Sequence, residues 1–190
     1  MAQTFDLGRY ECAHLLGKLW KVTHGNSQSF WENHTGDLVA ANQSLSFHNQ
    51  AELQKAVQKH VDWGRRSPPS CFLSVFTSEN HAFNWARIVD RDKKPAYILE
   101  IETARLTVDP GTMSGAVLDM EVLIDRLGIE NPWSEHELLF LYRIPSDAIV
   151  SHTPFKEYTV QGMKECHHDH DQQYHHVKLT LPSKLGMEPL

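Results

Sequence analysis

The chain has 190 residues, of which 41% are hydrophobic, which fits one globular domain rather than a disordered chain. Its 18 Lys and Arg residues against 24 Asp and Glu residues give a formal net charge of −6, which argues against a general nucleic-acid-binding surface. It contains no run of 18 apolar residues and begins without the basic start and apolar stretch of a signal peptide, so we expect a cytoplasmic protein with no membrane partner.

The first half of the chain predicts a strand, a loop and a helix. Residues 19–22 read as a short apolar strand, and residues 23–46, rich in Asn, Ser and Gly, predict a loop. A helix should begin after Asn49, an N-cap residue with Glu52 three positions on, and end at Gly64. Its buried face would be a stripe of five side chains at helical spacing: Leu53, Ala56, Val57, His60 and Val61.

The second half alternates strands and helices. Apolar runs predict strands at residues 71–76, 96–101 and 138–144, the last one ended by Pro145, and a final strand at 177–181. Two helices should lie between these strands, and their inner faces are as follows: Ala82, Trp85, Ala86 and Val89 after a Ser78 cap, then Val117, Met120, Ile124 and Leu127 before Gly128.

This order of elements predicts a single α+β domain. Strands are separated by helices in some places and by loops in others, which is typical of a mixed or antiparallel β-sheet core with flanking helices. The domain would span residues 1–190, with its core at about 19–158. Neither a G-x-G-x-x-G motif nor a Walker-type loop occurs, so we expect no Rossmann or P-loop nucleotide site.

Three stretches carry motifs that occur together in a known family. The first is Leu-Trp-Lys-Val-Thr-His-Gly at 19–25, the second is Phe-Leu-Ser-Val-Phe-Thr-Ser at 72–78, and the third is Glu-His-Glu-Leu-Leu-Phe-Leu-Tyr-Arg-Ile-Pro at 135–145. In this order and at these separations they resemble the ADP-ribosyltransferase superfamily, most closely its enterotoxin-like (Arg-Ser-Glu) branch and related fungal domains. The third block is the most specific, because Glu-x-Glu, an apolar strand and Ile-Pro coincide in it.

The resemblance implies an ADP-ribosyltransferase-like fold with NAD as the substrate. The enzyme would cleave the nicotinamide–ribose bond, either as a mono-ADP-ribosyltransferase or, with water as acceptor, as an NAD glycohydrolase. Glu137 would stabilise the oxocarbenium-like transition state, Glu135 would act on the acceptor, and the Ser74 hydroxyl would hold Glu137 in place. Residues two apart on a strand point the same way, so the two glutamates would face one site. Protein, nucleic acid, small molecule and water all remain open as acceptors.

The first block departs from the enterotoxin-like pattern. That branch has Arg where this chain has Lys21, and Lys offers a point charge in place of a planar fork. His24, followed by Gly25, resembles instead the His-Gly start of the diphtheria-toxin-like branch. Lys21 or His24 would therefore bind the phosphate or ribose side of NAD. A Tyr of that second branch stacks on nicotinamide, and its counterpart here would be Phe76 or Trp85.

Two further hypotheses remain beside the enzyme. Lys21 in place of Arg favours a degenerate relative that keeps the fold and binds a protein or a nucleotide without turnover. A dense cluster of metal-ligating residue types near the C-terminus would suit a metal-binding module. Its members are Cys166, His167, His168, Asp169, His170, His175 and His176. Because NAD cleavage of this kind uses carboxylate, hydroxyl and phosphate-binding groups, we expect the cluster to lie outside the NAD site and the catalysis to need no metal.

Overall fold

A computed structural model describes residues 5–15, 17–62, 68–90, 95–106, 115–130, 136–156 and 158. Several predicted features lie outside these ranges: the helix stop at Gly64, the acceptor-side Glu135, the histidine-rich segment 161–176 and the last strand at 177–181.

The described ranges form nine strands, three α-helices and three short 3-10 turns. In chain order the strands and α-helices are β1 Lys18–His24, β2 Ser29–Trp31, β3 Leu38–Ala40, α1 Gln50–Val61, β4 Phe72–Phe76, α2 Glu79–Asp90, β5 Ala96–Glu102, β6 Val117–Asp119, α3 Met120–Leu127, β7 Glu137–Leu141, β8 Arg143–Ile144 and β9 Ile149–Pro154. The 3-10 turns are Gly8–Tyr10, Thr103–Arg105 and Ser146–Ala148. In the part of the chain that is described, the longest helices have 12 residues, and no helix is long and apolar enough to cross a membrane.

Two antiparallel sheets organise the fold. The larger sheet has six strands in the order β6-β7-β4-β1-β5-β9, and the smaller one has three in the order β2-β3-β8. Each observed strand pair is antiparallel. The predicted α+β class with an antiparallel sheet core and flanking helices is therefore confirmed.

Local signals place the helices as the sequence predicts. Asn49 caps α1, because its side-chain oxygen accepts a hydrogen bond from the Glu52 N–H at 3.0 Å, and the Glu52 carboxylate accepts one from the His48 N–H at 2.8 Å. Ser78 caps α2 by accepting from the His81 N–H at 3.2 Å. Gly128 ends α3 in the left-handed region, with φ of 63°.

Three predicted element assignments are wrong in part. Val117 belongs to β6 rather than to a helical stripe, and the buried face of α3 is instead Met120, Leu123 and Leu127. Residues 23–46 are not all loop, because β2 and β3 form there. These strands are only three residues long and have no alternating pattern that would reveal them.

The predicted strand at 138–144 is two strands in two different sheets. Tyr142 has a φ of 67° and turns the chain from β7 into β8. Its N–H donates to the Cys71 carbonyl at 2.9 Å, and its own carbonyl accepts from the Ala40 N–H at 2.7 Å. Tyr142 is thus hydrogen-bonded through its N–H to the residue just before β4 of the large sheet, and through its carbonyl to β3 of the small sheet.

Three apolar clusters divide the core. One lies under α1 and α3 and includes Leu53, Met120 and Leu139. A second joins the two sheets, with Leu19 and Phe140 among its members. The third lies under α2, where Ala82 and Ala86 pack with Val22, Phe76 and Ile98. The two alanines allow α2 to approach the sheet closely, near the gap described next.

Candidate functional site

The large sheet opens between β1 and β4. All seven residues of β1 pair with β5, and all five residues of β4 pair with β7, whereas the pairing of β1 with β4 is the single pair Trp20 and Phe76. A cleft of about 120 Å³ lies at this opening. Its walls come from β1, the turn after β1, α1, β4 and α2. Backbone groups that a continuous sheet would use for pairing are therefore available to side chains or ligands.

Lys21 of β1 occupies part of this opening. Its side chain is only 5% exposed, and its Nζ donates a hydrogen bond to the Ser74 carbonyl on β4 at 3.2 Å. Burial lowers the pKa of Lys21 from 10.5 to about 8, and the nearby charge of Glu137 acts in the opposite direction. The ammonium is thus largely charged at neutral pH and is stabilised by a carbonyl and a carboxylate.

Glu137 is the first residue of β7 and lies directly across from Phe76 of β4. The carboxylate-bearing residue is 7% exposed and therefore buried. His136, just before it, has a φ of 65°, and its carbonyl accepts a hydrogen bond from the Thr77 N–H at 2.8 Å. This turn fixes where β7 begins. Glu137 is not among the described residues that line the cleft. It lies one strand away, and its charge influences the cleft through Lys21.

Ser74 lines the cleft, and its hydroxyl contacts His60. The sequence predicts His60 only as part of the buried face of a helix. Ser74 Oγ lies 2.8 Å from His60 Nε2, and the strand partner of Ser74 on β7 is Leu139. The expected partner of this hydroxyl is Glu137, and the structure instead gives it His60. The available signal was a titratable side chain on the otherwise apolar face of α1.

His60 is an uncharged group in this setting. Burial and, next in size, the charge of Lys21 lower its pKa from 6.5 to about 3. Its other ring nitrogen, Nδ1, lies 2.7 Å from Ser70 Oγ. Both nitrogens are therefore engaged by serine hydroxyls, which holds the ring in one orientation beside the cleft.

His24 stands at the end of β1, on the rim of the cleft. Its N–H donates to Ser27 Oγ at 2.8 Å, and its Nδ1 accepts from the Asn26 N–H at 3.3 Å. These bonds fold the turn that follows β1. They also leave Nε2 as the protonated nitrogen of the neutral ring, because Nδ1 is an acceptor.

The two aromatic candidates line the same cleft from β4 and α2. Phe76 is buried, and its ring stacks on His81 with a centroid distance of 4.8 Å. Trp85 is half-buried and packs against the apolar cluster under α2 while also lining the cleft. Each ring therefore packs in the apolar core and also forms part of the cleft wall.

The structure brings five of the seven predicted site residues to one cleft: Lys21, His24, Ser74, Phe76 and Trp85. Glu137 is one strand away, and Glu135 lies outside the described residues. In the described ranges, no three His, Cys, Asp or Glu side chains come close enough together to hold a metal ion, and the histidine-rich segment lies outside those ranges.

The chain belongs to the family described as "Domain of unknown function (DUF7587)", whose model matches residues 17–158. This match contains every cleft residue and both sheets. Comparison with curated proteins and with solved structures gives no match.

Proposed function

We propose that this domain binds NAD at the opening between β1 and β4 and cleaves its nicotinamide–ribose bond, as a mono-ADP-ribosyltransferase or an NAD glycohydrolase. The observation that carries the proposal is the convergence on one cleft of Lys21, Ser74 and Phe76, which come from two separate sequence blocks. The third block contributes Glu137, the strand partner of Phe76. The proposal includes a relationship to the enterotoxin-like branch of ADP-ribosyltransferases and to similar fungal domains.

The chemistry asks for a negative charge near the reacting ribose. Departure of nicotinamide builds positive charge at the anomeric carbon, and a buried carboxylate stabilises that charge more strongly than it would in water. Glu137 would supply it, with Glu135 acting on the acceptor and Ser74 positioning the ligand. Lys21 and His24 would serve the phosphate and ribose side, and Phe76 or Trp85 the nicotinamide ring.

One observation favours the second candidate, a domain that binds its ligand without turnover. Lys21 is buried, already donates to the Ser74 carbonyl and interacts with the charge of Glu137. A cation held in this way partly neutralises the carboxylate that catalysis would need. Such a cleft would bind a nucleotide and release it unchanged.

Two measurements on the same preparation distinguish these candidates. Isothermal titration with NAD measures binding, and chromatographic detection of free nicotinamide measures cleavage. Binding with nicotinamide release supports the enzyme, and addition of protein, nucleic-acid and small-molecule acceptors with labelled NAD then separates transfer from hydrolysis. Binding without release supports the second candidate. The absence of both binding and release would rule out NAD as the ligand.

A further inference from the structure

Three side chains form a continuous hydrogen-bond chain that ends at the cleft. Ser70 Oγ lies 2.7 Å from His60 Nδ1, and His60 Nε2 lies 2.8 Å from Ser74 Oγ. Ser70 is buried, His60 belongs to α1, and Ser74 lines the cleft from β4. The roles proposed above for Glu137 and Lys21 in NAD cleavage do not explain why these three side chains are hydrogen-bonded to one another.

The bonds at Ser70 decide the direction of the chain. Ser70 Oγ accepts a hydrogen bond from the Phe72 N–H at 3.0 Å, and His60 Nδ1 is its other partner among the described residues. If Nδ1–H were the donor, the Ser70 hydroxyl would accept twice and its own proton would be given to neither partner. If the Ser70 proton is donated to Nδ1, the buried Ser70 hydroxyl is satisfied, and the hydroxyl proton that the chain leaves over is that of Ser74, which lines the cleft. A neutral imidazole then carries its proton on Nε2, and that proton goes to Ser74 Oγ.

We infer that Ser70 and His60 orient the Ser74 hydroxyl as a hydrogen-bond donor directed into the cleft, with His60 as a positioning residue. Because Ser74 Oγ accepts from His60, its own proton is available to an oxygen atom of the ligand. The ligand group recognised through this proton is therefore a carbonyl, hydroxyl or other oxygen acceptor.

Two features of the surroundings keep the direction of the chain fixed. His60 stays neutral because its partial burial and the nearby charge of Lys21 both disfavour the imidazolium. Its ring also packs edge-on against Phe72, with a centroid distance of 5.6 Å, so rotation of the ring is opposed by the core. His60 is therefore a weak base.

The ligand part of this inference rests on the proposed function, and the hydrogen-bond chain does not. The first experiment uses the full chain without NAD. Nuclear magnetic resonance of ¹⁵N-histidine-labelled protein reads the tautomer of each imidazole, and His60→Gln identifies the His60 signals. We expect a neutral ring protonated on Nε2, with shifts that stay constant between about pH 5 and pH 8. A ring protonated on Nδ1, or one that titrates in this range, would overturn the inference.

The second experiment compares His60→Gln with His60→Asn. Both are uncharged amides, but only the longer Gln side chain reaches the position of Nε2 and can donate to Ser74. In nicotinamide release, His60→Gln should stay near the parent, and His60→Asn should lose about 3- to 10-fold in kcat/KM, as Ser74→Ala does. Thermal unfolding controls for folding of both amides. Equal rates for His60→Asn and the parent would contradict the inference.

The two experiments separate the two hypotheses. If the parent neither binds nor cleaves NAD, the proposed function fails, and the tautomer of His60 alone decides whether the chain is oriented as inferred. If the parent cleaves NAD and the tautomer is wrong, the cleft keeps its function and the hydrogen-bond chain is rejected.

Discussion

The ammonium of Lys21 donates a hydrogen bond to the backbone carbonyl of Ser74, 3.2 Å away, across the gap where β1 and β4 stop pairing. A side chain thus takes the place of a backbone donor at an open strand edge. Since Lys21 also interacts with the charge of Glu137, one buried cation connects the three strands β1, β4 and β7. The stability of the cleft should depend on this cation.

Replacing Lys21 by Met should destabilise the fold by about 3 kcal/mol, because it removes a cation that compensates a buried carboxylate. The double variant Lys21→Met/Glu137→Gln should lose less than the sum of the two single variants, since neither charge is then left alone. Urea titration of the four proteins gives the free energies of unfolding. Strict additivity would mean that the two charges do not interact energetically.

Glu137→Gln should reduce nicotinamide release by roughly 100-fold or more while NAD binding changes little, because the substitution keeps the shape and removes the charge that stabilises the transition state. Glu121→Gln is the matched control, since Glu121 is exposed on α3. This substitution also replaces a carboxylate by an amide, but away from the cleft. An unaltered rate for Glu137→Gln, measured under saturating NAD, would rule out Glu137 as the catalytic carboxylate.

His24→Ala should weaken NAD binding by about 10-fold, as expected for loss of one hydrogen bond together with loosening of the turn that His24 Nδ1 holds through Asn26. Isothermal titration measures the affinity. His34→Ala serves as the control, because His34 is exposed in the turn between β2 and β3. Should both histidine variants bind NAD like the parent, the rim at His24 takes no part in binding.

His60 should make the fold sensitive to acid. Its pKa is about 3 in the folded protein and near 6.5 when unfolded, so the unfolded chain binds a proton that the folded one does not. The stability is fully present above pH 6.5 and is lost as the pH falls towards 3. Between about pH 6.5 and pH 4.5 the parent should lose about 2–3 kcal/mol more than His60→Gln. Urea titrations at both pH values check this, and parallel losses in the two proteins would contradict it.

The sequence predicts the three helices and the strands β1, β4 and β5 well, because their signals are local, whereas β9 has no counterpart among the predicted strands. Asn49, Ser78 and Gly128 mark helix ends through bonds and backbone angles within a few residues. The short strand β3 is held by burial and by long-range pairing with β8, and the largely exposed β2 is held by pairing with β3, which no local pattern reveals. The left-handed turn at Tyr142 is equally hidden, since Tyr rarely adopts positive φ.

The site was predictable where it follows strand order and unpredictable where it depends on side-chain partners. The resemblance brings Lys21, Ser74 and Phe76 into one region, and the cleft contains all three. It does not reveal His60, because a histidine in an apolar helical stripe is predicted to be a core residue. Only the tertiary structure shows the two serine hydroxyls that contact its ring.

Tyr142 is a single residue between β7 and β8, so the two sheets share one uninterrupted piece of backbone. Its N–H bonds to the Cys71 carbonyl and its carbonyl bonds to the Ala40 N–H. Separation of the small sheet from the large one would break the hydrogen bond between the Ala40 N–H and the Tyr142 carbonyl, directly after the end of β7. Amide protons of Ala40 and Tyr142 should therefore exchange with solvent deuterium at the same slow rate as those in the middle of β7, through one cooperative opening of the whole domain. Equal rates would show that the fold on either side of this tyrosine opens as one unit.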